Sequence, residues 1–366
     1  MEKGKISALQ MAMLLYPAVV ATAILSVPSI TAAYAKQDLW LSPILASIGG
    51  FMPVFMAFLL YKIYPGQTII QMSEQIIGRL FGKVFIFFIL FFYIQITGQI
   101  LRVYAEFIVG SFLLKTPISV MIASMTFLCA LTVYGGLEVV GRAGQLFFPL
   151  FVIPFLLFIP IVSPNFELGN ILPVLERGIV PSMKGAVVLS GWFAEFFLIS
   201  FLFPFLKDQD KGMKYGMITV SAVMVTLVIV NLVVLLTLGA ATASKAYPVL
   251  NVARYIGYGD FFENVESVIM AVWIIGAFVK ISVFYYAAAL GTAQWLNLAD
   301  YRPIVWPLGV LIVQFSFWSL PNMMEINHYN VATFPFYSLF IQMVLPLLLL
   351  VIAIIRKRKQ AASQTS

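Results

Sequence analysis

The chain has 366 residues, of which 62% are hydrophobic and 10% are charged, and its mean hydropathy is +1.00. Soluble domains carry about 25% charged residues, and a soluble fold has no interior large enough for so much apolar side chain. The composition therefore excludes a soluble globular protein and predicts a chain that crosses a lipid bilayer. The net charge is +7. The basic residues are scattered between apolar runs, apart from one cluster at 356–359, and this scattering argues against nucleic-acid binding.

The first apolar run follows Lys3 and Lys5 and ends in 33–35, Ala-Tyr-Ala, which resembles a signal-peptidase site. The run extends from Leu9 to Ala35. A secretory signal has an apolar region of only about 7–15 residues. We therefore expect a retained first helix.

Apolar runs separated by charged or Gly/Pro-rich breaks predict about ten transmembrane helices, because each crossing needs roughly 20 apolar residues. We place them near 9–35, 41–61, 84–113, 117–134, 143–162, 185–206, 215–238, 265–296, 304–320 and 334–355. Since the connections are short, the whole chain, 1–366, is predicted to form one all-α transporter-like domain. Helices 1–5 occupy about 9–162, helices 6–10 about 185–355, and a basic tail follows at 356–366.

The basic residues are divided unevenly between the two sides of the membrane. An even number of helices places both termini on the same side of the membrane. The segments on that side contain fourteen basic residues, and those on the opposite side contain six. Basic loops are retained in the cytoplasm, so both termini are predicted to be cytoplasmic. Ten helices divide as five plus five, and an odd number per half inverts the second half, which predicts an inverted repeat.

Helices 1 and 6 are predicted to be interrupted at corresponding positions of the two halves. Helix 1 contains the stretch 21–28, which ends in Pro28, and helix 6 contains Ser190-Gly191. Proline lacks a backbone N–H and clashes with the preceding turn. Interrupted helices expose backbone groups and half-helix dipoles at mid-membrane, where transporters bind their ligands.

Four ionisable residues lie inside predicted helices, where each costs about 2.5–3.5 kcal/mol. Arg102 and Glu106 are four residues apart on one face of helix 3, which favours an ion pair between them over a ligand role. Glu195 on helix 6 and Lys280 on helix 8 have no opposite charge nearby in the sequence. Either they pair with each other or Lys280 binds a ligand carboxylate, and a ligand could also displace the pair.

No enzyme chemistry, cofactor or metal site is predicted. Cys129 is the single cysteine and His328 the single histidine, so an internal disulfide or a Cys/His metal cluster is excluded. The glycine-rich stretch 134–142 lacks the preceding strand and the following Lys-Ser/Thr of a phosphate loop, and we expect it to connect two helices.

Several strings, in this order and spacing, resemble the B subunits of bacterial endospore nutrient-germinant receptors. These subunits form the spore permease branch of the amino acid-polyamine-organocation transporter superfamily. The strings are ILSVP at 24–28, GLEVVGR at 136–142, NILPVLERG at 170–178, FAE at 193–195, YPVL at 247–250, and FFENVE at 261–266 ahead of Trp273. The resemblance extends from about residue 5 to the basic tail.

The resemblance implies a leucine-transporter-type fold that binds a small nutrient between helices 1, 3, 6 and 8. It also implies a complex with an A subunit and a lipoprotein C subunit in the spore inner membrane. Germinant-pocket positions fall on Ala21, Ile96, Trp192, Lys280 and Phe284. The full set of candidate ligand-binding residues is Ala21, Thr22, Ile96, Ser190, Gly191, Trp192, Glu195, Lys280 and Phe284.

Four positions depart from the pattern of these B subunits. Ala21 and Ala23 stand where glycines are usual, which narrows the space for a ligand beside the backbone. Asn264 stands where an arginine is usual, and Lys280 is itself unusual at its position.

Two functions remain open at this point. The first is a nutrient sensor, favouring an amino acid over a sugar, whose ligand-driven population shift is passed to partner subunits. The alternative is a proton- or cation-coupled amino-acid permease, with Glu195 or Lys280 as the coupling group. Both would use the same fold and pocket, so residues inside the membrane discriminate poorly between them.

Overall fold

A computed structural model describes residues 2–255 and 265–365, except for the side chains of 359–365. Within these residues, eight helices are long and apolar enough to cross a membrane, and two further apolar helices are shorter. In chain order the ten are α1 (Ala8–Asp38), α2 (Leu41–Ile63), α3 (Arg79–Ser111), α4 (Ile118–Tyr134), α5 (Leu137–Asn165), α6 (Val180–Phe205), α7 (Gln209–Ser244), α8 (Val265–Trp295), α9 (Arg302–Trp318) and α10 (Met323–Arg358). The shorter pair, α4 and α9, have 17 residues each, at the lower limit of about 17 for a crossing.

Each of the ten predicted helices corresponds to one of these ten, but several begin earlier than predicted. The apolar run marks only the part that lies in lipid, whereas the helix continues into polar flanking residues. At the start of α5 the connection is just Gly135-Gly136, because Gly136 has a φ of 101° and Leu137 already begins the helix. A short amphipathic helix, Ile69–Ile77, was not predicted; Thr68 and Gln71 form its capping box.

The two helices predicted to be interrupted lie at the centre of the bundle. In their most apolar windows, 89% of the residues of α6 and 72% of those of α1 are buried, compared with 17% for α5. Helix α1 packs against α5, α6, α7 and α8, and α3 packs against α8 and α9. The centre is therefore built from α1, α3, α6 and α8, while α5 presents most of its surface outwards.

Helix α1 is α-helical without a break from Ala8 to Ala35, although it contains Pro17 and Pro28. The interruption predicted at 21–28 is therefore not found. Each proline removes only one N–H, and close packing lets a membrane helix tolerate that loss. Alanine, the strongest helix former, occupies positions 21 and 23 and favours continuity.

Helix α6 is interrupted, as predicted, but later in the chain. Its α-helical part, Val180–Ala194, ends in a 3₁₀ turn, Glu195–Leu198. Ser190 and Gly191 lie inside the α-helix, so they are not the break. The Ser190 hydroxyl donates to Ala186 O four residues back, which keeps it within the regular helix.

Candidate functional site

A buried ion pair joins α6 to α8 at the centre of the bundle. Lys280 Nζ lies 2.6 Å from Glu195 Oε2, and the two side chains are 0% and 1% exposed. This is one of the two arrangements that the sequence left open. Each charge thus has the partner that its position inside the membrane demands.

Thr22 extends the ion pair into a network that also includes α1. Lys280 Nζ donates to Thr22 Oγ1 at 2.8 Å, and Trp192 Nε1 donates to the same oxygen at 3.2 Å. Lys280 Nζ also lies 5.3 Å from the centre of the Phe284 ring, within reach of a cation–π interaction. The ammonium group is therefore enclosed by α1, α6 and its own helix.

A small cavity lies beside Glu195, between α1, α3, α6 and α10. Its volume is about 30 Å³, which holds roughly two water molecules. Four of the candidate ligand-binding residues line it: Thr22, Ile96, Trp192 and Glu195. An amino acid is larger than this space, so the site in this conformation does not accommodate one.

The other five candidate residues surround the cavity without lining it. Lys280 and Phe284 are fully buried behind Glu195. Ala21 faces Gly276 of α8, and Ser190 faces Gly49 of α2. Gly191 packs against Pro335 of α10.

Several lining residues escaped the sequence analysis. On α1 and α3 they are Ser26, Gln99, Ile100 and Val103. Helical spacing could have found these, since each lies one or two turns from Thr22 or Ile96. The remaining four are Leu320, Tyr329, Asn330 and Phe334. Three of them precede the predicted start of helix 10 at 334, and nothing local in the sequence links them to α3 or α6.

A second ion pair lies near the cavity, beside the α9–α10 connection. Arg102 Nη2 lies 2.6 Å from Glu106 Oε1, as the four-residue spacing predicted. The same nitrogen donates to Pro321 O at 2.6 Å, next to the cavity residue Leu320. Arg102 therefore ties α3 to the α9–α10 connection.

The sequence profile described as "Spore germination protein" matches residues 5–324, which is most of the chain. The chain belongs to the spore germination protein family. Spore germination protein KB of Bacillus subtilis (strain 168) is 25% identical over 371 residues, covering 100% of this chain and 98% of that protein. Spore germination protein YndE of the same organism is 27% identical, and the match covers 97% of this chain and 98% of YndE. The resemblance noted in the sequence is thus confirmed at the level of the family.

Solved structures of leucine-transporter-type proteins share the fold. MhsT in complex with L-phenylalanine superposes with a TM-score of 0.62 at 12% identity, covering 96% of this chain and 99% of MhsT. Mhp1, a nucleobase-cation-symport-1 family transporter, superposes with a TM-score of 0.65 at 11% identity. The superposition covers 88% of this chain and 74% of Mhp1. A sodium-coupled sialic acid symporter superposes with a TM-score of 0.64 at 12% identity. The superposition covers 92% of this chain and 76% of the symporter. The predicted fold class is therefore confirmed, and the chain is a multi-pass membrane protein of the spore germination protein family that shares its fold with these transporters.

The departures from the usual pattern of the family can now be located. Ala21 lies at the contact between α1 and α8, where it packs against Gly276. Lys280 is the partner of Glu195. Asn264 lies outside the described residues.

Proposed function

We propose that this protein is the nutrient-sensing subunit of a spore germination receptor. In this proposal it binds a small nutrient, an amino acid rather than a sugar, at mid-membrane. It acts in the spore inner membrane together with an A subunit and a lipoprotein C subunit, and both of its termini are cytoplasmic.

The observation that carries the proposal is the buried polar network beside a small cavity in a member of the spore germination protein family. Ionisable residues inside a membrane bundle are costly and mark ligand or ion sites. Glu195 lies both in the network and in the wall of the cavity. A nutrient that enters there would change the contacts of Glu195 and therefore the relation between α6 and α8.

A signal to partner subunits requires a ligand that binds two conformations unequally. The cavity of about 30 Å³ is too small for an amino acid, so binding must favour an arrangement with a larger cavity. The 3₁₀ turn Glu195–Leu198 lies at this point and is a natural place for α6 to bend. Occupancy would thereby be coupled to the position of helices on the surface of the bundle.

The second candidate is a proton- or cation-coupled amino-acid permease. It is favoured by the structural likeness to transporters, including MhsT in complex with L-phenylalanine. A permease would move labelled amino acids into proteoliposomes that contain this chain alone. A sensor would bind them without uptake and would require its partner subunits for a response.

The deciding experiment is deletion of the gene in a spore-former that lacks its other nutrient receptors, followed by germination with a panel of single amino acids and sugars. We expect at least one nutrient response to disappear and to return when the gene is restored. Normal responses to every nutrient in the deletion strain would refute the sensor. A gene flanked by reading frames for A and C subunits supports the sensor, and an isolated gene supports the permease.

A further inference from the structure

Two polar atoms in the wall of the central cavity, Gln99 Oε1 and the Tyr329 hydroxyl oxygen, lack a hydrogen-bond partner among the described residues. Gln99 on α3 is 3% exposed, and its Oε1 accepts no hydrogen bond among the described residues. Tyr329 on α10 adjoins Gln99, but its hydroxyl makes no hydrogen bond of acceptable geometry there either. Buried polar atoms are normally paired, so two orphaned groups facing one cavity require an explanation.

The same two helices contain a matched pair that is fully bonded. One turn away on α3, Gln95 Oε1 accepts a hydrogen bond of 3.1 Å from the hydroxyl of Tyr337 on α10. Neither residue lines the cavity. Packing between α3 and α10 therefore permits a Gln–Tyr hydrogen bond at Gln95 and Tyr337, whereas Gln99 Oε1 and the Tyr329 hydroxyl in the cavity wall do not form one.

The carboxylate of Glu195 adds a third acceptor to this wall. Lys280 contacts its Oε2, whereas no donor in the described part of the chain contacts its Oε1. Lys280 itself is 0% exposed and does not line the cavity. The wall therefore presents unpaired acceptors, one of them a carboxylate oxygen, to the cavity. The ammonium group of Lys280 lies behind these acceptors and does not reach the cavity.

The backbone of α10 is also unusual at this position. Residues Tyr329–Thr333 form a π-helical turn, with Tyr329 and Asn330 in the cavity wall. Single π-helical turns inside α-helices are rare and occur frequently at functional sites. This turn brings a hydroxyl and an amide to the face opposite Gln99 and Glu195.

We propose that Gln99, Glu195 and Tyr329 form a subsite for the ammonium group of a small amine-bearing ligand. Three acceptors match the three N–H donors of an ammonium group, and one of them, Glu195 Oε1, belongs to a carboxylate whose other oxygen contacts Lys280. A space of about 30 Å³ suits a head group of this size. The inference rests on the proposed binding of an amino acid and defines which end of it the cavity recognises.

The test measures thermal unfolding of the full chain in lipid nanodiscs with three equimolar probe mixtures. The first contains the twenty common L-amino acids, the second their primary amides, and the third the corresponding deaminated carboxylic acids. The amides keep the ammonium group and lack the α-carboxylate, whereas the deaminated acids do the reverse. We expect the first two mixtures to raise the melting temperature and the third to leave it unchanged.

Two pairs of variants separate recognition from packing. Gln99→Leu and Tyr329→Phe should raise the amino-acid concentration for half-maximal stabilisation at least about tenfold, because each removes a hydrogen bond to a charged group. Without ligand they should melt at or above the wild-type temperature, because they remove an unpaired polar atom. Gln95→Leu and Tyr337→Phe should do the opposite, melting earlier while responding to amino acids within about twofold of wild type.

Several outcomes would overturn the inference. If Gln99→Leu and Tyr329→Phe respond as wild type does, the subsite is wrong while the proposed sensor stands. Stabilisation by the deaminated acids but not by the amides would likewise leave the sensor standing, with the opposite end of the ligand recognised. If no mixture stabilises the wild type, the subsite fails, and the deletion strain then decides whether the proposed function fails with it.

Discussion

Lys280 and Glu195 carry opposite charges at a depth where neither can reach water. Their 2.6 Å contact leaves both side chains almost completely buried. Attraction between two such charges offsets the cost of dehydrating them only while both are present. The pair is therefore best understood as a unit whose halves depend on each other.

Lys280→Met retains an unbranched side chain and removes the charge. We expect the free energy of unfolding to fall by about 3–5 kcal/mol, because Glu195 is left buried without a partner. Adding Glu195→Gln should recover much of that loss, since the remaining amide is uncharged. Thermal or denaturant unfolding of the three proteins in nanodiscs measures the effect.

Lys62→Met is the matched control for this substitution. Lys62 lies at the end of α2 with an exposed side chain, so we expect a change within about 0.5 kcal/mol. If Lys280→Met is as mild as the control, the ion pair contributes little to stability. The same variant also bears on ligand choice: a response to carboxylate-bearing nutrients that persists in Lys280→Met would show that Lys280 does not bind the ligand carboxylate.

At the scale of elements, the contact between α6 and α10 depends on the absence of a side chain at Gly191. A Cβ at this position would lie 2.8 Å from Pro335 Cα and 3.2 Å from the ring of Phe334. Gly191 O also accepts a 2.7 Å hydrogen bond from the Ser338 hydroxyl. The two helices can approach this closely only with glycine here, as is common between membrane helices.

Gly191→Ala is therefore expected to destabilise the protein by about 1–3 kcal/mol, because backbone atoms of α10 must move away. It should also weaken ligand binding, since Phe334 lines the cavity. Gly110→Ala on α3 is the control, because no atom lies within 4 Å of a Cβ there. The measurement is the melting temperature of each variant, and equal melting temperatures for the two would show that α6 and α10 repack freely.

The N-terminal segment connects parts of both halves at one end of the bundle. Glu2 Oε2 accepts hydrogen bonds from Leu137 N at 3.0 Å and from the Tyr301 hydroxyl at 3.1 Å. Four residues later, Ile6 N donates to Phe205 O at 3.1 Å, at the end of α6. The segment thereby links the α4–α5 and α8–α9 connections to α6.

Glu2→Ala should loosen this segment, because it removes the acceptor from Leu137 N. We expect faster amide hydrogen exchange over residues 2–7 and at Leu137, with little change in the transmembrane helices. Lys3→Ala, in the same segment but with no ion pair among the described residues, should leave exchange unchanged. Equal exchange in wild type and Glu2→Ala would mean that the carboxylate does not hold the segment.

At the scale of the whole molecule, the sequence could predict the features that follow from the preference of apolar residues for lipid and of charged residues for water. Apolar runs predicted the positions of ten helices, and the cost of buried charge singled out Glu195 and Lys280, either as partners of each other or with Lys280 as a ligand-binding group. The exact position of the break in α6 and the contribution of α10 to the cavity could not be predicted. The position of α10 beside α6 depends on the contact between Gly191 and Pro335, two residues that are 144 positions apart in the chain.

Orientation in the membrane is the remaining prediction for the whole molecule. The fourteen-to-six division of basic residues predicts that the α6–α7 connection is cytoplasmic and the α5–α6 connection is external. Lys211 and Arg177 lie at these two places with exposed side chains, and each replacement by cysteine removes one positive charge. The native Cys129 is buried and should give little background labelling.

Intact cells expressing Arg177→Cys should react with a membrane-impermeant thiol reagent, because the external connection is reached directly. Cells expressing Lys211→Cys should react only after the membrane is permeabilised. Labelling of Lys211→Cys but not Arg177→Cys in intact cells would reverse the orientation. The reversal would also put the Arg102–Glu106 pair on the cytoplasmic side of the cavity, so a nutrient arriving from outside would meet Glu2 and Tyr301 first.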